Sequence, residues 1–278
     1  MIRVLGLAGI LALGSASLAA QGVMVAPHAV FIDHRLRSGS VLLYNPGTEP
    51  VEVAISTMFG YPVTDSTGAI RLRTVETPDS TLPSALAWIQ AFPRRLTVGP
   101  RERQTVRLLA RPPAGLADGE YWLRIVIAAQ AGRVPITGVP DTTAIQVGLT
   151  LEVRTIIGVN YRKGPVTTGV TLSQLRAQIA GDSLITRARL ERRGNAAFIG
   201  TIRQTLTDSS GHVLASYQSP IGVYFTMEPR LANVMRPPQL ARGRYWLRYE
   251  VVTEREDLDP TVVLKAPAVR DSVQLIIP

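Results

Sequence analysis

Arg111-Pro112-Pro113-Ala114-Gly115-Leu116-Ala117-Asp118-Gly119-Glu120-Tyr121-Trp122-Leu123-Arg124 returns later in the chain as Arg236-Pro237-Pro238-Gln239-Leu240-Ala241-Arg242-Gly243-Arg244-Tyr245-Trp246-Leu247-Arg248. One residue is deleted between the copies and the rest superposes. A repeat of this kind implies two related units in one chain. The 278 residues suit that reading, because they leave room for one large domain or two of roughly 120–130 residues each.

Outward from each copy, nearly every segment reads as strand. Val51, Val53 and Ile55 alternate with polar neighbours, and Gln104–Ala110 alternates again. Tyr121–Ala128 is strongly apolar, and Ile145–Tyr161 is the longest extended run. Asn45-Pro46-Gly47 and Asp65-Ser66-Thr67-Gly68 supply turns. No stretch makes a convincing amphipathic helix; Leu172–Ile179 has room for one turn or two before Gly181 ends it. Many short strands with closely spaced turns predict an all-β fold of two sandwiches. The spacing Leu116-x-Asp118-Gly119-x-Tyr121-x-Leu123 is that of a tyrosine corner, in which the Tyr hydroxyl bonds back to the backbone at the start of an immunoglobulin-type strand. Tyr121 and Tyr245 are therefore read as structural residues, with Leu123 and Leu247 where a disulfide cysteine would otherwise pack. The fold class expected is all-β, two immunoglobulin-like β-sandwich domains in tandem.

Composition removes several chemistries. No cysteine is present, which excludes disulfides, thiolate metal sites and cysteine nucleophiles. The three histidines, His28, His34 and His212, form neither HExxH nor HxH. GxSxG, GxGxxG and Walker-type motifs are missing as well. No cofactor or metal is expected. Glu254–Asp259 is an acidic run without the spacing of a calcium loop, and it reads as an exposed charged turn. The formal net charge is +9, and among the 30 basic residues only Lys163 and Lys265 are lysines. The arginines are scattered instead of gathered on one face between stacking aromatics, so no nucleic-acid partner is expected.

Met1-Ile2-Arg3, the apolar run Val4–Leu18 and Ser17-Leu18-Ala19 have the form of a secretory signal peptide spanning residues 1–20, cut after Ala19 or Ala20. The apolar run is short for a membrane span, so no stable membrane insertion is expected. At the other end of the first unit, the long extended run stops at Arg162-Lys163-Gly164-Pro165. The expected domains are residues 21–164 and 165–278.

The chain resembles the periplasmic pilus-assembly chaperones, the PapD-like family, as a divergent member. The resemblance is carried by Ala29-Val30-Phe31 followed by Ser40–Asn45, by Phe92–Pro100 followed by Gln104–Leu108, by Glu120–Ile125, and by the run ending Val159-Asn160-Tyr161-Arg162. It covers residues 23–164, and beyond them extends only to a second β-sandwich. It implies a non-enzymatic chaperone that lends a strand to pilus, fimbrial or other surface-fibre subunits lacking one of their own, with an outer-membrane usher as a further partner. The strand implied as donor carries Ile145, Val147, Leu149, Leu151 and Val153 on one face, with Ile157 and Val159 continuing the phase beyond Thr155. The other reading of the same stripe is a strand facing its own core, which explains about half of the length. The family holds its client's terminal carboxylate with an Arg and a Lys, and those places here hold His28 and Gly158. His28, Arg154, Arg162 and Lys163 are the candidate replacements. The alternative function is a structural or adhesive immunoglobulin-like protein of the cell envelope.

Overall fold

A computed structural model describes residues 22–130, 151–235 and 240–277, and the regular structure among them is strand throughout. The first unit contains β1 (Met24–Ala26), β2 (Ala29–Asp33), β3 (Ser38–Tyr44), β4 (Val51–Thr64), β5 (Ile70–Val75), β6 (Ile89–Phe92), β7 (Arg95–Val98), β8 (Arg103–Ala110), β9 (Gly119–Gln130) and β10 (Glu152–Lys163). One sheet runs β1-β3-β8-β6, and the other runs β2-β10-β9-β4 with β5 and β7 on the far edge of β4. Alternation in the sequence becomes inward-facing side chains: Val106, Leu108 and Ala110 from β8 share a core with Leu123, Ile125 and Ile127 from β9. The chain changes sheets at Pro27-His28. β1 pairs antiparallel with β3, while β2 pairs parallel with β10.

The second unit contains β11 (Thr168–Ala180), β12 (Ser183–Gly194), β13 (Phe198–Asp208), β14 (Val213–Val223), β15 (Thr226–Met227), β16 (Arg230–Val234), β17 (Gly243–Val252) and β18 (Val269–Ile277). Its sheets are β11-β12, with β15 and β16 both on β12, and β14-β13-β17-β18. The chain is thus all-β, two β-sandwiches in tandem. In each, the repeat leads into one central strand: β9 with Leu123 fully buried, and β17 with Leu247 fully buried. The Tyr121 hydroxyl donates to the Ala117 carbonyl at 3.0 Å, and the Tyr245 hydroxyl to the Ala241 carbonyl at 2.7 Å.

Two segments differ from expectation. Leu172–Ile179 is not helical but lies within β11, paired with β12. The register shifts between Ser173 and Arg176, and Gln174 adopts φ 54°. The bulge turns Leu175 onto the same core as Leu172, so a three-residue spacing that imitates a helix arises from an extra residue in a strand. The other difference is β4, whose alternating start at Val51, Val53 and Ile55 continues to Thr64 and folds back through Asp65–Gly68 into β5. This hairpin reaches the second unit: Arg230 N donates to Gly68 O at 2.8 Å, and Glu228 N to Thr64 Oγ1 at 2.9 Å. Phe59, Tyr61 and Trp122 join Ala197, Tyr224 and Leu258 in a hydrophobic cluster between the units.

Candidate functional site

β10 has two unlike halves. Its whole length pairs with β9, from Glu152↔Gln130 to Lys163↔Gly119. On its other side β2 pairs only with Gly158–Arg162. Among the described residues, 152–157 therefore have a partner on one side only, which leaves backbone groups open along that edge. Gly22 approaches here, with an added Cβ 3.8 Å from Val153 Cβ, yet it makes no strand pairing.

The odd-numbered side chains divide close to the same place, with Ile157 already in the core. Val159 and Tyr161 are fully buried in the first core, and Ile157 is 3% exposed. Toward the N-terminal end the stripe leaves the core: Thr155 is half-buried, Val153 is 36% exposed and Leu151 is 51% exposed. Ile145, Val147 and Leu149 lie outside the described residues. An apolar stripe that is core at one end and solvated at the other, beside an open backbone edge, can accept an added strand whose alternate side chains cover it.

A polar seam lies at the closed end of β10. Glu120 is a fully buried carboxylate on β9. Its Oε1 accepts from Trp122 Nε1 at 2.8 Å and from Ala197 N at 3.0 Å, and its Oε2 accepts from Arg162 Nε at 2.8 Å. Arg162 Nη1 donates to Val262 O at 2.6 Å, and the guanidinium lies over Phe31 at 4.3 Å. One carboxylate thus joins β9, β10 and the second sandwich, with its oxygens satisfied by three donors. Arg192 rests over the outer rings of Trp122 and Phe225, and burial pushes its pKa below the ordinary value.

Arg124 is the cross-strand partner of Gly158. Its Nε donates to Gly60 O at 3.0 Å, and its guanidinium carbon stands 5.0 Å from the Tyr224 ring centre. A Cβ on residue 158 would lie 2.6 Å from Arg124 Nη1. The bare glycine therefore makes room for this guanidinium at the point where β2 begins. Beside it the Tyr224 hydroxyl donates to Asn160 Oδ1 at 3.3 Å, and the buried Asn160 Nδ2 has no hydrogen-bond partner among the described residues.

The four candidate anchors are each already facing a carboxylate. His28 Nδ1 is 3.5 Å from Asp257 Oδ2, with the His side chain 65% exposed. Asp257 also binds Arg255, which together with His28 holds its carboxyl below the usual range. Arg154 pairs with Glu152, and the guanidinium holds that carboxyl down too. Lys163 Nζ is 2.8 Å from Asp118 Oδ1, and Arg162 is committed to Glu120. His28 alone among them stands at the end of the open edge, immediately before β2. Arg124 and Glu120 were not singled out by sequence. The signal in the sequence for Arg124 is a glycine on the strand that pairs with its own.

The chain resembles solved chaperone structures. The YadV chaperone is 13% identical, with a TM-score of 0.46 over 91% of this chain and 99% of that one. The E. coli chaperone DraB is 11% identical, with a TM-score of 0.47 over 90% and 96%. The CsuC–CsuE chaperone–tip adhesion subunit pre-assembly complex, from archaic chaperone-usher Csu pili of Acinetobacter baumannii, gives 13% identity and a TM-score of 0.46 over 89% and 97%. No family model and no curated protein matches the chain.

Proposed function

We propose that this chain is an exported periplasmic chaperone that binds strand-deficient pilus, fimbrial or other surface-fibre subunits by lending them the open edge of β10. The observation that carries the reading is the half-open strand: among the described residues, 152–157 have one neighbouring strand, and the stripe that is core at Ile157 is exposed at Val153 and Leu151. Backbone pairing along that edge supplies affinity, and alternate side chains entering the subunit's groove supply specificity. Completing the burial of Leu151 and Val153, already about half and two-thirds covered, contributes roughly 0.5–1.5 kcal/mol each. In this reading residues 1–20 are the signal peptide, residues 21–164 the donating domain and residues 165–278 the second domain. An outer-membrane usher is the second partner, and the activity is binding without catalysis or cofactor.

The direction of the added strand follows from the slot. β2 runs parallel to β10 and closes the edge from Gly158 onward. A client strand lying in front of β2 in the same direction ends beside Gly158, so its terminal carboxylate meets Arg124, with His28 next to it. Arg124 then takes the charge-pairing part for which His28, Arg154, Arg162 and Lys163 were candidates.

Co-purification with a strand-deficient fibre subunit from the same envelope tests the reading. Val153→Arg should stay folded and lose the subunit, because a guanidinium is carried into an apolar groove. Arg154→Ser, on the opposite face, should keep it, and Arg124→Gln should weaken it about tenfold. Equal retention by folded Val153→Arg and Arg154→Ser would rule out donation along this strand.

A further inference from the structure

The two copies of Tyr-Trp-Leu-Arg place their tryptophans on the outer face of equivalent strands, with opposite fates. Trp122 is 1% exposed, covered by the second sandwich through Tyr224, Phe225 and Arg192. Trp246 is 46% exposed. The residue two before each tryptophan points to the same face. In the first copy it is Glu120, whose carboxylate accepts from the Trp122 indole N–H at 2.8 Å. In the second copy it is Arg244.

The sheet β14-β13-β17-β18 therefore presents an indole between Arg244 and Arg248, both exposed. Ile276, the cross-strand partner of Arg244, is 67% exposed. Val213, opposite Thr207, which itself faces Trp246, is 52% exposed. Neither Arg244 nor Arg248 has an ion-pair partner among the described residues, whereas Arg203 and Arg270 on the same sheet pair with Glu254 and Glu250. The apolar centre with two free guanidiniums has the make-up of a protein contact site, where tryptophan and arginine carry most of the energy. Its charge calls for an acidic occupant, and the first copy shows which atom is missing: a carboxylate oxygen at the indole N–H.

We propose that the outer face of this sheet, centred on Trp246, is a docking surface for a partner protein that brings an exposed carboxylate to the indole and to Arg244 and Arg248. The surface lies on the second sandwich, on a different sheet from the open edge of β10, so the two occupants do not compete for residues.

The test uses the mature chain with 15N-labelled tryptophan indoles, of which it has three. Trp246→Phe assigns the exposed one by the loss of its signal. The probe is a short peptide of alternating glutamate and serine, compared with its glutamine counterpart and with phosphatidylglycerol vesicles. The Trp246 signal should shift and saturate with the glutamate peptide while the Trp122 signal stays in place. Arg244→Glu with Arg248→Glu should abolish the shift. Arg244→Gln with Arg248→Gln should weaken it about tenfold for each arginine lost, and serves alone if charge reversal unfolds the chain. No shift, an equal shift with the glutamine peptide, or a shift that survives both double variants would overturn the proposal. A response to the vesicles alone would also overturn it, assigning the face to an anionic membrane.

Discussion

The two halves of β10 share one strand and one apolar phase, yet only one of them is finished. Residues 158–162 are paired on both sides, and Val159 and Tyr161 are sealed in the first core. Among the described residues, 152–157 are paired on one side, and Val153 and Leu151 continue the same stripe toward solvent. The difference teaches that alternation alone does not say what a stripe faces. What decides is the neighbour on the second edge, and here β2 supplies it only from Gly158 onward.

Breaking the finished half should cost most at Arg162. Removing its guanidinium by Arg162→Leu leaves the buried Glu120 carboxylate without its charged partner, at about 3–5 kcal/mol. The denaturant midpoint should fall sharply. A change near zero would mean that the carboxylate finds water or protonates, and that the seam is looser than its distances imply.

The next effect sharpens the division inside the stripe. Ile157→Ala opens a cavity at a buried position and should lower stability by about 2–4 kcal/mol. Val153→Ala, four residues away on the same face, should stay within about 0.5 kcal/mol in the free protein. Equal losses would show that the stripe packs into the chain's own core at Val153 as it does at Ile157.

A smaller effect compares the repeats. Tyr121 is the cross-strand partner of Tyr161 in the finished half, and its hydroxyl bond to Ala117 is exposed. The Tyr245 bond to Ala241 is shorter and part-buried. Tyr245→Phe should cost about 1 kcal/mol and Tyr121→Phe less, because water replaces an exposed bond more completely. Thermal or denaturant melts of the two variants check the order.

Much of the fold was legible because it is local. The repeat, the alternation in β8 and the apolar run of β9 each lie within a dozen or so consecutive residues. The bulged β11 left a helical turn or two open because an extra residue moved Leu175 onto the face of Leu172 and produced helix-like spacing. The reach of the β4–β5 hairpin was hidden for a different reason: its tip is held by Arg230 and Glu228, far away in the chain. The site divided in the same way. Leu151, Val153, Ile157 and Val159 follow from strand phase. Glu120 reads in sequence as an ordinary solvated charge before an aromatic, and only its meeting with Arg162 and Ala197 makes it the buried centre of the seam. Arg124 reads as the end of the repeat until Gly158 is placed opposite it.

Amide hydrogen exchange along β10, measured with and without a bound fibre subunit, tests strand donation most directly. In the free protein residues 158–162 should be protected on both edges and residues 152–157 should exchange faster. Strand donation predicts that the subunit slows exchange across residues 152–157 and changes little from 158 onward. A subunit that binds while exchange across 152–157 stays as fast as in the free protein would contradict it.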